Sequence, residues 1–144
     1  MLLNGKCHCG NITLELRWTG DPPALPARAC GCSFCTKHGA VWTSSPDAEL
    51  QVLLRDPALV SKYHFGTGTA AFHVCATCGA VPLVVCEIEN RLYSVVNVNI
   101  LENVDPMWLH RTATNFDAED LESRLTRRKR TWIAKVHIAN HSGA

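Results

Sequence analysis

The sequence has neither a long apolar run nor an excess of charge of one sign. Its 14 lysines and arginines are balanced by 13 aspartates and glutamates, which leaves a net charge of +1. Such a balance produces no overall field that would attract nucleic acid or an acidic membrane surface. No segment is apolar enough to cross a bilayer, and the first residues lack the apolar core of a secretion signal. We therefore expect a cytoplasmic protein that binds neither membranes nor nucleic acid.

Internal repeats and low-complexity tracts are also missing from the 144 residues. A chain of this length forms one domain and buries roughly two-thirds of the surface that it exposes when unfolded. The apolar content of 47% and the charged content of 19% are typical of a globular protein. We therefore expect a single domain over residues 1–144.

Cysteine is the residue that the sequence has in excess. Seven of the eight cysteines fall in three short clusters: Cys7 and Cys9; Cys30, Cys32 and Cys35; Cys75 and Cys78. In a reducing compartment such spacing indicates metal binding or catalysis rather than disulfides. A tetrahedral Zn²⁺ takes four thiolates at about 2.3 Å, and Cys-x-Cys or Cys-x-x-Cys loops supply two of them from one turn. The sequence therefore predicts zinc sites.

Two ways of dividing the cysteines remain open from the residues alone. Seven thiols make one closed site of four and one group of three, and three protein ligands with an open fourth position are typical of catalytic zinc. Alternatively, both zincs are structural, and Cys86 or a histidine such as His38 is the eighth ligand. Cys86 shares a strand face with Val84 and Ile88, which favours a buried core thiol instead.

Short alternating segments predict a mainly β fold, in which zinc-binding loops connect the strands. The predicted strands cover residues 12–18, 40–45, 49–54, 59–65, 71–74, 81–89 and 92–98. The only predicted helix lies near the end of the chain, within an extension at about 115–135, with Asp117 as its N-cap. Its arginine-rich end, from Arg127 to Arg130, is interpreted as a solvated helix terminus.

Four motifs occur in a characteristic order: Gly5-Lys6-Cys7-His8-Cys9-Gly10, Cys30-Gly31-Cys32-Ser33-Phe34-Cys35, Phe72-His73-Val74-Cys75-Ala76-Thr77-Cys78-Gly79 and Val96-Asn97-Val98. The chain resembles the family of glutathione-dependent formaldehyde-activating enzymes, which includes the centromere protein V domain. The resemblance spans residues 5 to about 104.

The resemblance implies a β-tent of antiparallel sheets with two zincs per chain. Cys7, Cys9, Cys75 and Cys78 would hold a structural zinc. Cys30, Cys32 and Cys35 would hold a catalytic zinc with a free position, bound loosely enough to leave a purified sample partly empty. His73 belongs to the third motif and is expected to support a zinc ligand or to relay a proton.

The implied reaction is the condensation of glutathione with formaldehyde to S-hydroxymethylglutathione, and its reversal by a carbon–sulfur lyase. Another small-molecule thiol or another aldehyde adduct fits the site equally well. Glutathione carries two carboxylates, so an arginine or lysine should face the site, and Arg28, Lys37 and Arg111 are the candidates. The alternative is a non-catalytic zinc module that binds a protein. The sequence does not indicate the oligomeric state.

Overall fold

The computed structural model describes residues 1–140, in which short strands predominate. The strands are β1 (Leu2–Lys6), β2 (Ile12–Arg17), β3 (Leu25–Cys30), β4 (Val41–Thr43), β5 (Glu49–Leu54), β6 (Val60–Tyr63), β7 (Ala70–Cys75), β8 (Leu83–Ile88), β9 (Arg91–Asn97), β10 (Leu109–Thr114) and β11 (Lys135–Asn140). The α-helices are α1 (Ser33–His38) and α2 (Leu121–Thr131), and 3₁₀ turns occupy Pro57–Leu59, Val98–Ile100 and Pro106–Trp108. The prediction of a mainly β fold is confirmed.

The strands form two sheets. The smaller has the order β1-β2-β5-β11, and the larger has the order β10-β3-β4-β9-β8-β7-β6. The β5–β11 and β3–β10 pairs are parallel, whereas every other pair in the described chain is antiparallel. The sheets are therefore mixed rather than purely antiparallel, because two strands that the sequence did not predict, β10 and β11, add to their edges.

The larger sheet has a hydrophobic cluster on each face. Successive residues of a strand point to opposite faces, and the register places Val84 opposite Val95 but Leu83 opposite Val96. Leu83 and Val96 belong to the cluster that also contains the buried leucines of the smaller sheet. Val84 and Val95 belong to the other cluster. The larger sheet thus separates two environments.

Helix α2 lies against the second of these environments. Its N-cap is Asp120, whose Oδ1 accepts a hydrogen bond from the Ser123 N–H at 2.7 Å, so the helix begins later than the predicted N-cap at Asp117 would place it. Ser44 Oγ donates to the Thr131 carbonyl at 2.8 Å at the other end of the helix. Directly beyond, Ile133 and Ser94 exchange two backbone hydrogen bonds, which fix the helix to the larger sheet.

The short helix α1 corrects the prediction that only the end of the chain is helical. Cys32 Sγ accepts the Cys35 N–H at 3.4 Å as the N-cap, and Gly39 ends the helix with a left-handed φ of 69°. The central cysteine cluster therefore spans the end of β3, at Cys30, and the start of a short helix that contains Cys35. Among the described residues, no helix has the length and apolar character needed to span a membrane.

Substitution of Leu50 by alanine tests the packing between the sheets. Leu50 has no exposed surface and pairs with Leu16 in the register, so we expect its truncation to lower the free energy of unfolding by about 2–5 kcal/mol. Leu53 lies on the same strand with 41% of its surface exposed, and Leu53→Ala should cost less than about 1 kcal/mol. Urea unfolding measures both, and equal losses would contradict this account of the core.

Candidate metal centres and an adjoining cavity

The first centre is a group of four cysteines at the meeting point of two strand connections. Cys7 and Cys9 lie in the β1–β2 turn, Cys75 is the last residue of β7, and Cys78 lies in the β7–β8 connection. All four Sγ atoms lie within 4.8 Å of one another. The Sγ atom of Cys9 is 3.7 Å from that of Cys7 and 3.5 Å from that of Cys75. The sequence prediction that these four residues form one group agrees with this geometry.

Both loops of this group turn in the same way. The backbone N–H of Ile12 donates a hydrogen bond to Cys7 Sγ at 3.2 Å, and that of Cys78 donates one to Cys75 Sγ at 3.5 Å. Gly10 and Gly79 follow the respective cysteine pairs with φ values of 86° and 80°, a backbone conformation that glycine adopts at little cost. The tight turns aim the thiols toward a common point.

The second group contains Cys30, Cys32 and Cys35. Cys30 is the last residue of β3, Cys32 caps α1 and Cys35 lies in its first turn, and their Sγ atoms are also within 4.8 Å of one another. Cys35 is buried, whereas the other two are partly exposed. The indole Nε1–H of Trp42 donates to Cys35 Sγ at 3.4 Å, which orients that thiol.

Each group contains one thiol that ionises easily. A hydrogen bond from Cys35 lowers the pKa of Cys30 to about 6, and the same bond, together with burial, raises the pKa of Cys35. Burial raises the pKa of Cys7 to about 11. Burial also opposes ionisation of Cys78, but hydrogen bonds from backbone N–H groups and neighbouring thiols lower its pKa to about 6. The thiolate is the form that binds metal.

The three-cysteine group opens into a cavity of about 470 Å³. Its floor is one face of the larger sheet: the register places Phe72 opposite Val84 and Val84 opposite Val95, and all three side chains line the cavity. Trp42 of β4 continues this floor toward the cysteines. The four-cysteine group does not contribute to the lining. Of the two groups, only the three-cysteine group therefore adjoins this cavity.

Helix α2 and the residues before it form the opposite wall. Arg124, Arg127 and Arg128 line the cavity from the helix, and Trp132 lines it from just beyond. Arg127 pairs with the Glu119 carboxylate at 3.0 Å. Its guanidinium also lies 3.6 Å from the centre of the Phe116 ring. The cavity therefore combines an apolar floor with a basic wall.

His73 does not line this cavity. The register pairs it with Leu83, which belongs to the opposite face of the sheet, and its Nδ1 lies 3.2 Å from the Ala71 carbonyl oxygen. Burial lowers the pKa of His73, which favours the neutral form of the ring. It lies two residues before Cys75, and its expected role beside a zinc ligand therefore concerns the four-cysteine group and stays a prediction.

The alternative eighth ligands lie outside both groups. His38 packs against the Phe34 ring with centroids 4.4 Å apart, and among residues 1–140 neither cysteine group includes a histidine. Cys86 is buried with no exposed surface, as predicted for a core thiol, and its Sγ accepts a hydrogen bond from Arg128 Nη1 at 3.4 Å.

Of the three residues predicted as candidates for a charged side chain facing the site, one lines the cavity and two do not. Arg28 lines the cavity, because it precedes Cys30 by two residues on β3 and shares its face. Lys37 and Arg111 are exposed and do not line it.

The interpretation of the run from Arg127 to Arg130 as a solvated helix end is wrong for its first two residues. Arg128 is only 6% exposed, and Arg127 is partly buried, whereas Lys129 and Arg130 are exposed. Residues 124, 127 and 128 are spaced by three and four and therefore share one helix face. This spacing is the signal in the sequence from which a basic wall could have been predicted.

The donor sets of both groups fit zinc. Thiolates are the preferred protein ligands of Zn²⁺, and four or three of them within 4.8 Å of one another match structural and open sites respectively. All eight cysteines are free, so no disulfide competes for the donors. The two groups could therefore hold metal ions.

These features define a mainly β protein with two cysteine-rich metal centres, one of them beside a cavity. The sequence profile of the glutathione-dependent formaldehyde-activating enzyme family matches residues 2–117. The chain belongs to that family. A crystal structure of a Rhodobacter sphaeroides protein is similar to this chain, with a TM-score of 0.53 and 32% sequence identity, covering 72% of this chain and 92% of that one. No curated protein matches the chain significantly.

A count of reactive thiols tests the free state of the cysteines. Under denaturation with a chelator, without reductant and without oxygen, we expect eight thiols per chain to react with a disulfide reagent. Fewer reactive thiols, rising to eight only after reduction, would indicate disulfides and would contradict the metal centres.

Proposed function

We propose that the protein is a zinc-dependent carbon–sulfur lyase that forms and cleaves a thiol–formaldehyde adduct, with glutathione as the thiol. The observation that carries the proposal is the position of Cys30, Cys32 and Cys35 on the wall of a cavity of about 470 Å³. A closed structural centre needs no such cavity. The family membership supports the same chemistry.

The two groups would divide the metal between structure and catalysis. Cys7, Cys9, Cys75 and Cys78 would hold a structural zinc with four thiolates. Cys30, Cys32 and Cys35 would hold a second zinc and leave its fourth position to the cavity. Zinc bound there would supply a coordination position in which a substrate thiol is stabilised as the thiolate.

The reaction itself balances without any oxidant. In the forward direction the thiolate sulfur forms a bond to the formaldehyde carbon, and the carbonyl oxygen takes up the proton that the thiol gave up. In reverse the hydroxyl loses its proton, the carbon–sulfur bond breaks and the sulfur leaves as thiolate. The protein must therefore present a thiolate and move one proton.

Two carboxylates line the cavity and could carry that proton. Arg127 donates two hydrogen bonds to one carboxylate oxygen of Glu119 and one to the other, so the guanidinium already compensates the negative charge of Glu119. Asp117 has no such partner among residues 1–140, and it lines the same cavity as Cys30. We assign Asp117 the proton transfer.

The apolar floor has a separate task. Trp42 and Phe72 cover the sheet side of the cavity, Trp132 lines it from the helix side, and together they limit the water around the reacting atoms. A charge in such an environment interacts more strongly with its partners than it does in water. Free cysteines throughout the chain support a reducing compartment such as the cytoplasm.

Matched cysteine substitutions separate this enzyme from a structural zinc module. Cys32→Ser keeps an oxygen that can cap α1 but removes a zinc ligand, so we expect loss of the second zinc and of turnover with little loss of stability. Cys78→Ser should lose the structural zinc and unfold the protein, because a structural zinc supplies folding free energy. Ser33→Ala, on the exposed side of α1, is the control.

Zinc content by elemental analysis and decay of S-hydroxymethylglutathione measure these variants, with the rate of the spontaneous reaction subtracted. Wild-type activity no greater than the spontaneous rate would overturn the enzyme. Equal unfolding of Cys32→Ser and Cys78→Ser would favour two structural zincs.

A further inference from the structure

The cavity wall formed by α2 lies outside the part of the chain that defines the family. The family match ends at residue 117, whereas Leu121–Thr131 supplies three arginines to the lining. A fourth arginine, Arg28 of β3, lies within the match and also lines the cavity. The positive charge of this cavity is thus supplied largely by residues beyond the family match.

Only one of the four arginines has a carboxylate partner. Arg127 pairs with Glu119, but Arg28, Arg124 and Arg128 have no carboxylate oxygen within 4.0 Å in the described part of the chain. Arg28 donates to the hydroxyl and carbonyl oxygens of Ser44.

The other two arginines also bond to neutral groups. Arg124 donates to two backbone carbonyls, and Arg128 donates to the Thr69 hydroxyl and to the Cys86 sulfur. These partners orient the guanidinium groups but do not neutralise them.

Burial makes this unpaired charge expensive. Arg128 has only 6% of its surface exposed, and its guanidinium carbon lies 4.9 Å from the centre of the Trp132 ring. The buried Nε–H groups of Arg124 and Arg128 have no hydrogen-bond partner among residues 1–140. A cation removed from water is destabilising unless an anion compensates it, and no carboxylate of residues 1–140 lies within 4.0 Å of these three guanidinium groups. The missing anion is therefore expected from a ligand.

We infer that Arg28, Arg124 and Arg128 form a carboxylate-binding subsite, so that the cavity selects thiols and thiol adducts that carry a carboxylate. The planar guanidinium fork matches a carboxylate in geometry as well as charge. The identity of the bound molecule as a thiol rests on the proposed function, but the subsite itself does not require the metal. The subsite would hold the acidic end of the molecule while its sulfur lies beside the cysteines.

A competing explanation assigns the arginines to the thiolates of the cysteine group. Three thiolates around one Zn²⁺ carry a net negative charge, which nearby cations would offset. In that case removal of an arginine would change the binding affinity for a neutral ligand as much as that for an acidic one. Comparison of an acid with its ester therefore separates the two explanations.

The test uses S-methylglutathione, which has both carboxylates but no free thiol, and its diethyl ester. Calorimetric titration should show that the acid binds the wild type more tightly than the ester does. Arg124→Gln and Arg128→Gln should weaken binding of the acid by about tenfold or more, as expected for loss of a charged hydrogen bond, and should leave binding of the ester within about twofold. Arg130→Gln, on the exposed face of the same helix, is the control and should bind both as the wild type does.

Three results would overturn the subsite: no binding of S-methylglutathione to the wild type, equal binding of acid and ester, or an equal effect of Arg130→Gln. If Arg128→Gln does not fold, Arg124→Gln and Arg28→Gln decide the question. Cys32→Ser is expected to lack the second zinc. If this variant still binds S-methylglutathione, the subsite exists independently of the proposed enzyme activity. Arginine-dependent binding of S-methylglutathione without turnover of S-hydroxymethylglutathione supports the subsite and refutes the lyase. Turnover of S-hydroxymethylglutathione and of its diethyl ester at equal rates supports the lyase and refutes the subsite.

Discussion

The meeting of two cysteine loops holds the start of the chain against its middle. Cys9 and Cys75 are separated by 66 positions in the sequence, yet their sulfur atoms are 3.5 Å apart. One loop connects strands of the smaller sheet, and the other connects strands of the larger one. Cys7 and Cys75 are fully buried within the hydrophobic cluster between the sheets. A metal bound here would cross-link the two sheets at their common edge, and its binding free energy would become folding free energy.

Because this centre and the main hydrophobic cluster occupy one face of the larger sheet, the other face remains available for a cavity. Strand alternation decides which residues reach it: Val84 and Val95 face the cavity, and Leu83 and Val96 face the core. The three-cysteine group lies at the end of β3 on the cavity side, and α2 covers it with arginines. The three-cysteine group and the guanidinium groups therefore line one cavity with an apolar floor, an environment in which charges interact more strongly than in water.

The three cysteine clusters and most of the central strands could be predicted from the sequence, because short ligand spacing and period-two alternation are local properties. The grouping of the first cluster with the third came only from the resemblance to the family. The sequence did not predict β10, whose residues are mostly exposed on both faces and so show no alternation. It placed the N-cap of α2 at Asp117 because an acidic residue near a helix start resembles a cap, whereas Asp120 fills that role. The burial of Arg128 could not be predicted from charge alone, since it depends on which helix face packs over the sheet. Likewise, the position of His73 depends on strand register, which places it with Leu83 and away from the cavity.

The central claim is that Cys30, Cys32 and Cys35 hold a zinc whose fourth position receives a substrate thiol. X-ray absorption at the zinc edge, combined with zinc content per chain, tests it most directly. The account predicts two zincs, of which one has four sulfur ligands at all times and the other gains a fourth sulfur, at about 2.3 Å, when glutathione is added. Two zincs with unchanged sulfur coordination in the presence of glutathione would contradict it.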